Sequence, residues 1–157
     1  MKKYIGKCVL AAAMVLAMSG AAQAKDDDDN DDGKGCSEST LRGLYVFTAS
    51  GFNIVGSVAQ PKAIVELIRF DGHGNLTVPE VTRSINGVIG STFPPNPAIP
   101  PNGTGTYSVG SDCTGSLVFA PSGPNFDLFI GFKASEVHMI QTNSGTVFQG
   151  TAERLSH

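Results

Sequence analysis

From residue 43 onward, apolar and polar positions alternate in short runs, with no sustained helical spacing. "GLYVFTASGF" (43–52) and "KAIVELIRF" (62–70) are the first two such runs. The turn "DGHGN" (71–75) leads into "LTVPEVTRSINGVIG" (76–90), where Pro79 predicts a bulge or an edge position. "GTYSV" (105–109) and "TGSLVFA" (114–120) flank a turn at Gly110 to Cys113. After "PSGPN" come "FDLFIGF" (126–132), "SEVHMIQ" (135–141) and "TVFQGTAER" (146–154), separated by "KA" and "TNSG". Counting "NGVIGS" separately, this predicts eight to nine strands joined by short connections. A meander of that kind either exposes two edges or closes on itself, and closure at about eight strands gives a barrel. The expected fold is therefore all-β: an up-and-down antiparallel barrel of about eight strands in a single domain. A two-sheet sandwich is the alternative.

One connection is long. "STFPPNPAIPPNGTG" (91–105) holds five of the nine prolines, which cannot donate to a ladder, so it reads as a stiff extended loop. It either caps a barrel end, presents a binding surface or is a plain crossover. The first residues follow a different logic. Lys2, Lys3 and Lys7 precede an apolar run from Cys8 to Met18, and Ala22-Gln23-Ala24 supplies small residues for cleavage. Residues 1–24 are read as a secretory signal peptide. A membrane anchor is the alternative, but the run is shorter than the ~20 residues a span needs. Residues 25–35 carry six aspartates and no apolar side chain, so they are expected to be a disordered acidic tail. Residues 36–157 then form the barrel domain.

Loss of the leader leaves Cys36 and Cys113, 77 residues apart. An oxidising compartment favours one intramolecular disulfide between them, and two free thiols are the alternative. The expected location is periplasmic or secreted, with no integral membrane segment after cleavage. Past Cys36 there are six basic and eight acidic residues, which leaves no basic stripe for nucleic acid.

"LRGLYVFTASGF", "FDGHGNL", "GTGTYSVGSDCTGSL" and "EVHMIQTNSGTVFQGTAER" together resemble a group of small secreted bacterial proteins. Their layout is similar to calycin-like barrels of the allene oxide cyclase and dirigent type. The resemblance spans residues 36–154 and implies a barrel. Its barrel relatives include cyclases of apolar substrates and lipocalins that only bind them, and fold alone does not choose between these.

Individual residues narrow the chemistry. In "KAIVELIRF" the face with Ile64, Ile68 and Phe70 is the more apolar, which places Glu66 inside, where a desolvated carboxylate is a candidate general acid or base. A structural pair with Arg69 is the alternative. Glu136 and His138 share one strand face, either as a solvent-facing pair or as polar groups near Glu66. Tyr45 and Tyr107 are candidate donors to a ligand, or packing residues. A metal is not expected, because the other histidines, His73 and His157, lie in a turn and at the end of the chain. No cofactor is expected either, since there is no phosphate-cradling glycine loop, and no Gly-x-Ser-x-Gly elbow presents a serine nucleophile. Three functions fit: binding of a small apolar molecule in the lumen through Tyr45, Glu66, Tyr107, Glu136 and His138; an envelope or interaction protein with a filled barrel; and an allene oxide cyclase-like cyclase or isomerase using Glu66.

Overall fold

A computed structural model describes residues 35–91 and 103–156. Residues 1–34, where a signal peptide and a disordered acidic tail are expected, and the proline-rich stretch 92–102 lie outside the described residues, as does His157. Nine strands follow in order: β1 (Arg42–Val55), β2 (Val58–Asp71), β3 (Asn75–Ile85), β4 (Val88–Ser91), β5 (Thr104–Val109), β6 (Thr114–Ala120), β7 (Asn125–Ile130), β8 (Glu136–Gln141) and β9 (Thr146–Ser156). Every neighbouring pair is antiparallel. Pairing of β1 with β9, and of β2 with both β1 and β3, closes eight strands into a ring, with β4 outside it. β3 holds β5 through Asn75–Thr77 and β4 through Thr82–Ile85, so β4 and β5 lie along the same side of one strand.

The alternation seen in the sequence separates inside from outside. Tyr45 and Phe47 on β1, Ile68 and Phe70 on β2, Leu117 on β6, Leu128 on β7 and Val137 and Met139 on β8 are all buried and point inward. An eight-stranded barrel is just wide enough for side chains to fill, and here they fill it. Phe70 stands edge-on between Tyr45 and Tyr107, with centroids 5.2 and 5.0 Å away. Nearer the other end, Phe126 meets Phe47 at 5.8 Å and Phe119 at 6.0 Å, both edge-on. Small residues make room for these rings: a Cβ on the inward-facing Gly150 would collide with the carbonyl of Thr48 on the neighbouring strand.

The base of the barrel is closed by the residues that enter it. A 3-10 turn at Glu38–Thr40 leads to Leu41, which is fully buried. The Tyr107 hydroxyl accepts from the Gly72 amide at 3.0 Å and donates to the carbonyl of Leu41 at 2.9 Å or of Glu38 at 3.0 Å. The Tyr45 hydroxyl donates to the Ala134 carbonyl at 3.0 Å and accepts from Arg154 Nε at 2.7 Å. Arg154 also donates from Nη2 to the Thr40 carbonyl at 3.0 Å. Cys36 and Cys113 form the expected disulfide, Cα to Cα 4.9 Å, tying this entry strap to the β5–β6 turn. Tyr107→Phe leaves the buried Gly72 amide without its acceptor and removes the donor to the strap. It is expected to cost about 2 kcal/mol, seen as a lower urea midpoint with an unchanged slope.

The two most distinctive sequence motifs are turn chemistry. Asp71 accepts from the amides of His73 (2.7 Å) and Asn75 (2.9 Å) and from Asn75 Nδ2 (2.8 Å), which folds "DGHGN" tightly. These donors hold the Asp71 carboxyl below its usual pKa. Asp112 does the same for Thr114, through both its amide and its hydroxyl. Asn86 and Gly87, at φ 49° and 83°, make the paired left-handed turn that joins β3 to β4.

Some boundaries differ from the sequence expectation. β1 and β2 run on to Val55 and back from Val58, well past Phe52 and Lys62. Pro61 sits inside β2, one residue before its ladder with β3 begins at Lys62, so its missing donor costs no β3 bond. β7 ends at Ile130, and Phe132 stands in a 3-10 turn with 81% of its surface exposed. Among the described residues no helix is long and apolar enough to cross a membrane.

Candidate functional site

Two places bring polar chemistry together. The first is the end of the barrel away from the disulfide. Glu66 points inward from β2, opposite Phe47 on β1 and Val81 on β3, and is 7% exposed. Burial pushes its pKa up to about 7, against the pull of the Lys62 ammonium. Lys62 shares the same strand face, four residues earlier. Its Nζ donates to Gln141 Oε1 at 3.0 Å and lies 3.9 Å above the Phe148 ring. Burial lowers the Lys62 pKa, Glu66 opposes that and Arg83 adds to it. Gln141 in turn donates to Asn143 Oδ1 at 3.1 Å, which also accepts the Asn125 amide at 2.6 Å. A polar cap therefore covers the aromatic floor. Its carboxyl is able to gain or lose a proton near neutrality.

The second place is on the outer wall. Thr48, Ser50, Ala63, Val65, Phe129, His138, Ile140, Gln149 and Thr151 line an open groove of about 730 Å³. These side chains alternate with the inward ones on β1, β2, β7, β8 and β9, so the groove is the reverse face of the packed core.

The structure separates the five candidate ligand-binding residues. Glu66 is inside, as its apolar neighbours implied, while Arg69 points outward and is exposed. Tyr45 and Tyr107 face inward at the base, with hydroxyls engaged by the entry strap, Arg154 and Ala134. Burial raises the pKa of both phenols. Glu136 and His138 are on the outer wall, half-exposed, 3.6 Å apart between Oε1 and Nε2. Of the five, only His138 lines the groove. Sequence reasoning missed Lys62, although its position two residues before Ile64 puts it on the Glu66 face. Among the described residues no group of three or more His, Cys, Asp or Glu is placed to hold a metal ion. Comparison with protein-family models, with curated proteins and with solved structures found no match.

Proposed function

We propose that this is an exported interaction protein that works through the outer surface of a filled barrel. The observation that carries this reading is the interior itself. Tyr45, Phe47, Phe70, Leu117, Leu128 and Met139 are each at most 2% exposed and occupy the space a lumenal ligand would need. Export is supported by the leader-like residues 1–24 and by the Cys36–Cys113 bridge, which persists in an oxidising compartment. The pleat is apolar inward and carries Arg69, Asp127, Glu136 and Glu153 outward, the reverse of a membrane-spanning barrel. The likeness to calycin-like barrels of the allene oxide cyclase type fits the ring of strands and adds no chemistry to it.

A cyclase or isomerase is the second reading, favoured by Glu66 alone, since a buried carboxyl titrating near 7 suits acid–base work. It lacks the tyrosines, whose hydroxyls are held at the base. Native mass spectrometry of protein purified from its own host tests the main reading. The expected result is a chain beginning at Lys25 with one disulfide and no added mass. A stoichiometric small apolar molecule carried along with it would overturn the proposal.

A further inference from the structure

On the outer wall, one transverse row runs from Val65 on β2 through Thr48 on β1, Thr151 on β9 and His138 on β8 to Phe129 on β7, each paired with the next. With strands about 4.8 Å apart, four steps make the row about 19 Å long. Ser50, Gln149 and Ile140 form a parallel row beside it. The middle of the groove is thus hydroxyl, amide and imidazole with one apolar neighbour, Ile140, while the two ends are apolar: Val65 and Phe129 are 52% and 54% exposed. The imidazole is held between Thr151 Oγ1, 3.4 Å from Nδ1, and Glu136.

Three occupants compete for such a surface. A hydrocarbon would strip water from Thr48, Ser50, Thr151 and Gln149 and return no hydrogen bonds, which is costly. An extended peptide binds a sheet through a free edge, but the floor strands β1, β9 and β8 are each paired on both sides, so their main chains have nothing to offer. An uncharged polyhydroxylated chain meets both requirements. Its hydroxyls replace water along the polar row, and its C–H faces cover the Phe129 ring. Charge narrows the class of such chains, because the charged positions next to the groove in the register, Asp127, Glu136 and Glu153, are all acidic and disfavour an anionic one. We propose that the groove binds a neutral glycan, laid across β1, β9 and β8 with one sugar against Phe129. This rests on the outer-wall reading and names its ligand class.

Calorimetric and NMR titrations of the oxidised protein test it, with cellohexaose, maltohexaose and the N-acetylglucosamine hexamer as neutral probes. A galacturonate hexamer and an extended alanine–serine peptide complete the set. At least one neutral hexamer is expected to bind, and the galacturonate to bind less well. Phe129→Ala and Gln149→Ala should each weaken binding at least about tenfold. Both residues are exposed, so melting should shift by no more than about 2 °C. Phe132→Ala, outside the groove, should change nothing. Absence of binding by all three neutral hexamers, or undiminished binding by Phe129→Ala, overturns the proposal. Binding of the peptide alone, lost in Phe129→Ala, also overturns the glycan while leaving the outer-wall reading intact; a molecule found inside the barrel overturns that reading instead.

Discussion

Glu66→Gln is expected to make the protein more stable in mild alkali and to remove most of its pH dependence near neutrality. The folded state raises the Glu66 pKa from 4.5 to about 7, chiefly by burial. Between those values the folded protein keeps a proton that the unfolded chain has released. The stabilisation from the neutral carboxyl is therefore complete below the unfolded pKa and is lost as pH rises through the folded one. A shift of this size corresponds to something on the order of 3 kcal/mol once the group is fully ionised. Urea unfolding at about pH 4 and about pH 8.5 should show wild type and variant close together in acid and well apart in alkali, with the variant higher. Lys62→Met should move the inflection to higher pH, because it removes the cation that restrains the shift. Equal stability of wild type and Glu66→Gln at the alkaline pH would mean that the carboxyl is hydrated and the cap over it open.

Reduction of the Cys36–Cys113 bridge, or its replacement by two serines, should cost about 4 kcal/mol, since the link closes a loop of 77 residues in the unfolded chain. The loss has a location as well as a size. The bridge holds the strap whose carbonyls at Glu38, Thr40 and Leu41 accept hydrogen bonds from Tyr107 and Arg154. Without it, local opening should begin at the base of the barrel. Hydrogen exchange at the amides of Leu41 and Gly72 should accelerate before that of the β7 and β8 amides. A reduced protein with the same urea midpoint and the same exchange pattern would show that the strap stays docked through its hydrogen bonds and buried Leu41.

The strands were legible wherever one face is buried, because only there does polarity alternate. "FDLF" and "EVHMI" sort their residues inside and out correctly, and Glu66 follows from Ile64, Ile68 and Phe70. Where β1 and β2 run past the barrel body, neither face is buried, and Asn53, Gly56, Ser57 and Pro61 read as loop although they lie in or between paired strands. The disulfide was legible by arithmetic once residues 1–24 were read as a leader. The groove was not. Thr48, Val65, Phe129, His138 and Gln149 come from five strands, and their adjacency depends on cross-strand register, which no single segment encodes. Nor did the sequence show that Tyr45 and Tyr107 serve the base, because their partners are backbone groups of the entry strap, Gly72 and Ala134 and the Arg154 side chain, most of them far away in sequence.

The first strand is also the one that waits longest. Leu44 finds its β9 partner in Ser156, so one edge of β1 stays open until the ninth strand docks. Ring closure therefore rests on the pairing most distant in sequence among the described strands, a contact whose loop entropy makes it slow to form. Loss of β9 as a whole, Thr146–Ser156, would leave β1 and β8 each with an unpaired edge, a sticky, unsealed ribbon rather than a slightly smaller barrel.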